Sequence, residues 1–242
     1  MDDMSAEKLL ELNRRFYNKL ADPFADSRHQ PAPGFSRLLA YLPEGCDSVL
    51  DVGCGEGRFG RFLAEEGFDG AYRGIDFSEK LLASAAARLP ADLDSAFRVR
   101  NLAAEGALDG LGRFSLIACL AVLQHVPGRE RRARLLREMG EHLQPGGRLF
   151  LSTWQFLDSP RQREKIVPWE EAGLDPAVLE PDDYLLTWRS GGYGLRYVVY
   201  INAAETERLA TEAGLRIVDS FRADGREGDL NLYTVLEKSD KP

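Results

Sequence analysis

The chain has 242 residues, 44% of them hydrophobic, and a formal net charge of −8. That is enough apolar material for one sizeable α/β core, and no shift in composition marks a second domain. The negative charge opposes non-specific binding to phosphate backbones, no apolar run approaches the roughly 18 residues of a membrane span, and the acidic start Met1-Asp2-Asp3-Met4-Ser5 lacks the regions of a signal peptide, so a cytoplasmic protein is expected.

In chain order, Leu9, Leu12, Phe16 and Leu20 space an amphipathic helix, and a second helix is predicted over residues 35–42. Val49, Leu50 and Val52 then read as a buried parallel strand that ends at Asp51 and a loop holding Gly53, Gly55 and Gly57. Phe59, Phe62 and Leu63 lie on one face of a helix over residues 58–66, with Gly67 as its stop. Residues 72–76 form the second strand, Ser78 caps a helix over 79–89, and residues 97–100 and 114–119 are the third and fourth strands. Five arginines (129, 131, 132, 134 and 137) share a helix whose Leu135, Leu136 and Met139 face inward, and the solvated reading of those arginines competes with a nucleic-acid footprint. A turn at residues 144–147 leads into strand five. After it, residues 184–189 and 195–201 are expected to pair as a hairpin across Gly191-Gly192-Tyr193-Gly194, and residues 215–221 and 230–237 as a closing antiparallel pair behind a helix at 203–213. Cys46, Cys54 and Cys119 show neither C-x-x-C spacing nor an obvious pairing, and His29, His125 and His142 form no ligand cluster, so no metal is expected.

The glycine loop fits two registers. Gly55, Gly57 and Gly60 satisfy the dinucleotide pattern G-x-G-x-x-G, with Asp76 as a ribose acid and an NAD-dependent oxidoreductase as its consequence. The other register, Asp51-x-Gly53-x-Gly55-x-Gly57, resembles motif I of class I S-adenosylmethionine (SAM)-dependent methyltransferases. A carboxylate at the strand's end suits a ligand with an ammonium group and a sulfonium and repels a pyrophosphate, which favours this register. The later landmarks follow the same family's order over residues 48–153. The resemblance implies a Rossmann-like, mostly parallel seven-stranded α/β sheet with a reversed terminal strand. It implies a SAM site made by Asp51, Gly53, Cys54, Gly55 and Gly57, by Asp76 and Phe77 at the ribose, by Asn101 and Leu102 at the adenine, and by Leu120 and Ala121 where the chain closes over the cofactor. Asn101 stands where the family often has Asp, and Ser115 where it usually has Asp.

Substrate choice then falls to what is added to that core. The expected organisation is one domain, with an N-terminal helical lid (1–45), the SAM-binding core (46–153), an inserted aromatic-rich cap (154–201) and a C-terminal helix with antiparallel strands (202–242). In related methyltransferases a Tyr and an Arg of the lid lie near the methionine moiety; Tyr17 and Arg28 fit those places, against a reading as core and surface residues. The cap holds Trp154, Trp169 and Trp188, and either walls an acceptor pocket or forms a satellite core. Pieces of lid and cap, among them Trp154-Gln155, Val167-Pro168-Trp169 and Arg196-Tyr197, resemble the wobble-uridine carboxymethyl tRNA methyltransferases, although Ala32 and Val198-Val199-Tyr200 depart from that pattern. The expected substrate site is His125, Trp154, Trp169, Arg196 and Tyr197, with His125 as the base for a hydroxyl or amine acceptor and Arg196 as the orienting group for a carboxylate. A small or medium-sized acceptor is favoured over tRNA; a non-catalytic SAM-binding subunit is a third possibility.

Overall fold

A computed structural model describes residues 1–20, 30–189 and 191–239. Strands β1 (Ser48–Val52), β2 (Ala71–Asp76), β3 (Ser95–Val99), β4 (Phe114–Leu120), β5 (Leu143–Trp154), β9 (Leu215–Ala223) and β10 (Asn231–Lys238) form one sheet in the order β3-β2-β1-β4-β5-β10-β9. The first five pair in parallel, and β10 runs antiparallel to both of its neighbours. The order reverses between β1 and β4, so the carboxyl ends of those strands diverge and leave a crevice.

Alternation along the central strands builds two cores. Val49, Leu116, Ala118 and Phe150 face helices α2 (Pro33–Leu38) and α3 (Arg58–Glu65), which contribute Phe35, Leu38, Phe59, Phe62 and Leu63. Leu50, Val52, Ile117, Cys119, Leu149 and Leu151 face the other way, onto Leu135, Leu136 and Met139 of α5 (Arg129–Glu141) and Leu209 of α7 (Ala203–Glu212). Between β2 and β3 lies α4 (Glu79–Arg88), and Ser78 caps it as expected by accepting from the Leu81 N–H.

One expectation is corrected. The arginines of α5 do not all stay in water: Arg132 is 3% exposed, with Nη1 donating to the Val126 carbonyl and Nη2 paired with Glu180 at 2.9 Å. Arg129 pairs with Glu205 and Glu212, Arg131 with Asp3, and Arg134 with Glu138. For Arg129, Arg131 and Arg132 the acids are distant in sequence, a pairing that helical periodicity cannot reveal; Arg134–Glu138 is an i,i+4 pair within the helix.

The cap contains α6 (Pro160–Arg163) and a small antiparallel sheet of β6 (Ile166–Val167), β7 (Asp183–Trp188) and β8 (Gly194–Val199). The hairpin therefore forms, with each strand starting one residue earlier than predicted. The free edge of β8 is covered by α1 (Asp3–Lys19). Asn13 stands in for a neighbouring strand: its Oδ1 accepts from the Tyr197 N–H at 2.8 Å and its Nδ2 donates to the Tyr197 carbonyl at 3.1 Å. Both groups are buried, so Asn13→Ala should destabilise the fold by about 1–3 kcal/mol and loosen lid and cap together. Chemical denaturation reads the first effect, and hydrogen exchange at Tyr197 reads the second.

Candidate active site

The chain leaves β1 through three glycines in the left-handed region, Gly53 (φ +74°), Gly55 (φ +55°) and Gly57 (φ +76°). A Cβ on Gly53 would lie 2.4 Å from Val122 Cγ2, whereas one on Gly55 meets no atom within 4 Å and faces open cavity. The loop's own amides are engaged. Gly53 and Cys54 donate to the Ile75 carbonyl at 2.7 and 3.0 Å, Gly55 to Asp76 Oδ2 at 3.1 Å, and Gly57 to the Cys54 carbonyl at 3.0 Å. The buried carboxylates Asp51 and Glu56 beside this loop would repel a pyrophosphate, and this disfavours the dinucleotide register.

Three carboxylates, Asp51, Glu56 and Asp76, line a cavity of about 190 Å³ and are 3%, 2% and 6% exposed. Asp51 accepts the Tyr72 hydroxyl at 2.5 Å, and Asp76 Oδ1 accepts the Ser78 N–H at 2.9 Å. Burial pushes the Asp51 carboxyl up to about 7 and that of Asp76 up to about 6, against the lowering effect of those hydrogen bonds. Glu56 Oε1 has no hydrogen-bond partner, and the Arg61 guanidinium is 3.9 Å away. Sequence reasoning passed over Glu56, although an acid inside a glycine loop was its signal. Asp51, Glu56 and Asp76 thus give this end of the cavity an anionic lining.

The sign of the pH dependence follows. With raised carboxyl values the folded chain holds protons that the unfolded chain has released. Stability from these groups is therefore full below the ordinary carboxylate range and is lost as pH rises through about 6 to 7. A bound cation favours the ionised carboxylates and reverses this for the complex. Affinity for a sulfonium ligand should accordingly tighten between pH 5 and pH 8, as calorimetry would show; a flat profile would contradict the carboxylate cluster as its seat.

The structure brings most of the expected cofactor residues to this cavity. Asp51, Gly53, Cys54, Gly55, Asp76, Phe77, Asn101, Leu102, Leu120, Ala121 and Tyr17 all line it. Asn101 Oδ1 also accepts the Ala103 N–H at 3.1 Å. Ala121, at φ +58°, is held by donation from its N–H to the Ser152 carbonyl at 3.0 Å. Gly57 does not line the cavity; a Cβ there would strike Leu89 and Ala85, so its role is close helix packing. Arg28 lies outside the described residues.

Of the substrate residues, His125 and Trp154 line the cavity, with their rings edge to face at 5.7 Å. His125 Nδ1 is 3.1 Å from the Tyr197 carbonyl, and its Nε2 is 3.0 Å from the Tyr17 hydroxyl. Trp169 and the Tyr197 side chain lie away from the cavity, 6.5 Å apart centroid to centroid, with the Tyr197 hydroxyl donating to Asp183 Oδ1 at 2.7 Å. Arg196 sits behind Trp154, its guanidinium carbon 4.2 Å from the ring centroid. A second lobe went unread in the sequence: Phe35, Arg58, Asp224, Asn231 and Tyr233. Asp224 organises it by accepting from the Gly34 N–H, Asn231 Nδ2 and the Tyr233 hydroxyl at 2.9, 2.7 and 2.6 Å.

The comparisons with known proteins agree with this geometry. Residues 9–220 match a family model described as a methyltransferase domain. Mouse tRNA (carboxymethyluridine(34)-5-O)-methyltransferase ALKBH8 is 28% identical over 62% of the chain, which spans 21% of that protein's length. A ubiquinone biosynthesis O-methyltransferase of Azoarcus sp. is 31% identical, covering 83% of the chain and 86% of the relative. The solved complex of DhpI with S-adenosylhomocysteine superposes with a TM-score of 0.62 at 18% identity over 100% of both chains. With an anionic crevice at the β1–β4 switch point, a reversed β10 and a family match across most of its length, the chain belongs to the SAM-dependent methyltransferases of the class I fold.

Proposed function

We propose that the protein moves the SAM methyl group to an oxygen or nitrogen nucleophile of a small or medium-sized acceptor, by in-line displacement in the cavity that α1, α2 and Trp154 border. The observation that carries this reading is the Tyr17–His125 pair. The Tyr197 carbonyl can only accept, so Nδ1 of His125 carries the proton and Nε2 presents its lone pair to the Tyr17 hydroxyl. That arrangement takes up the proton an attacking hydroxyl or amine loses. Bound SAM supplies an already activated methyl, and the residues around it supply position and exclude water. Asp76 would hold the ribose, Asp51 and Glu56 would face the cationic end, and Phe77, Asn101 and Leu102 would enclose the adenine.

A second reading, transfer to a carboxylate such as that of a modified tRNA uridine, draws support from Arg196: it is 2% exposed, and its Nε and Nη1 have no partner. Such an acceptor needs no base. Among the described residues no helix is long and apolar enough to cross a membrane, and we place the activity in the cytoplasm because its thiols are free and two of them buried.

Incubation with methyl-labelled SAM and either a metabolite extract or bulk tRNA tests both. Label in a small product that survives mild alkali, as ethers and methylamines do, is expected. Alkali-labile label in tRNA would replace this reading with the ester-forming one. The absence of any turnover, with SAM still bound, would make the chain a binding subunit.

A further inference from the structure

Besides the arginines of α5, the sequence has a second basic stretch, Arg161, Arg163 and Lys165, and the two have opposite fates in the fold. Four of the five arginines of α5, Arg129, Arg131, Arg132 and Arg134, are paired with acids, as described above. The second stretch, around α6, opens with Arg189 onto a separate groove of about 330 Å³ on the cap, lined by Arg161, Glu164, Lys165, Val167, Thr187 and Arg189. Three cations face one acid there. Among the described residues, Arg161, Lys165, Arg189 and Arg196 have no carboxylate within ion-pair distance, and the Lys165 ammonium is spent only on Gln162 Oε1 at 2.9 Å. Burial lowers the Lys165 ammonium, and the positive charges of Arg196 and Arg161 lower it further, so like charges crowd here with Glu164 as the groove's single acid.

Arg196 is the independent observation. Its guanidinium is buried, with two nitrogens unpartnered, between the Trp154 and Trp188 rings at 4.2 and 5.3 Å. Trp154 lines the active-site cavity, so Lys165, Arg196 and Trp154 mark a line from the groove to the site of transfer. Unpaired cations in this arrangement are relieved by an anion that offers several acceptor oxygens.

We propose that Arg161, Lys165 and Arg189 form a phosphate-binding groove, which anchors an acceptor carrying a phosphate mono- or diester while its nucleophile reaches the cavity beside Trp154. This rests on the reading of that cavity as the acceptor site. The phosphate is the handle, distinct from the atom methylated. On a chain of net charge −8, such a focused patch is how an anionic acceptor would be selected.

The test is equilibrium binding, without turnover, of a fluorescein-labelled 12-nucleotide RNA by anisotropy, with AMP and inorganic phosphate as competitors. Micromolar, salt-sensitive binding is expected. The Arg161→Glu/Arg189→Glu double variant should weaken it at least about tenfold and flatten the salt slope by roughly 1.4, about 0.7 for each lost cation on a single strand. Arg131→Glu, on the acid-paired face, should leave it unchanged. Displacement by AMP or phosphate at millimolar concentration would assign the groove to a single phosphate; binding of the RNA alone would assign it to a polynucleotide backbone. SAM affinity by calorimetry reports whether each variant is folded, and Lys165→Gln repeats the test with a milder change. The proposal is overturned if none of the three phosphate probes binds, or if Arg131→Glu weakens binding as much as the double variant. Neither result touches the methyl-transfer reading, which fails only in the labelling assay.

Discussion

Replacing His125 by Gln is expected to lower kcat by about 10²–10⁴-fold, the usual contribution of a positioned acid–base group, and to leave SAM affinity within a few-fold of its original value. Three elements set the geometry behind this. The short helical turn Leu123–His125 after β4 delivers the ring, the Tyr197 carbonyl of β8 holds Nδ1, and Tyr17 of α1 meets Nε2. Tyr17→Phe separates two routes. If the acceptor's proton passes through the tyrosine oxygen, that variant falls with His125→Gln; if Nε2 takes the proton directly, Tyr17→Phe keeps most of the rate. Single-turnover measurements with the acceptor found by labelling decide it. An undiminished rate in His125→Gln would show an acceptor that has no proton to lose, and the carboxylate reading would then take precedence.

Asp76→Ala should weaken SAM binding by about 3 kcal/mol, roughly a hundredfold, which is the upper end for hydrogen bonds to a charged group. Two losses combine. The ribose hydroxyls lose their acceptor, and the Gly55 and Ser78 amides, at 3.1 and 2.9 Å, lose the carboxylate that fixes the glycine loop and the start of α4. Asp76→Asn keeps one acceptor oxygen and should fall between the two. Unchanged affinity in Asp76→Ala by calorimetry would place the ribose elsewhere and remove the central support for the cofactor assignment.

Much of the lining of this cavity was legible in the chain, because those parts are each a strand followed directly by a loop. Residues 48–57, 71–78 and 95–102 deliver their cavity-lining groups within a few positions of a strand end, and short-range patterning places such groups well. Glu56 was missed within this same region because glycine patterns direct attention to the backbone. Gly57 was read as a ligand contact for the same reason, although its lack of a Cβ serves the packing of α3 on α4.

What the sequence determined by itself, then, is the alternation of strands and helices, the loop that must bend through the left-handed region, and the acid at the end of β1. All are set by local propensity and steric limits on the backbone. Only the tertiary structure decided which cations remain available, since Arg132 and Arg131 find Glu180 and Asp3 across long sequence separations while Arg161, Lys165 and Arg189 share a groove with the single acid Glu164 and form no ion pair among the described residues. It also decided that Asn13 and Tyr197, 184 positions apart, close the edge of β8, and that Asp224, Asn231 and Tyr233 share a lobe with Phe35 and Arg58. Such pairings depend on how α1, the cap and the closing strands dock, and the energies of docking are spread over contacts that leave no period in the chain.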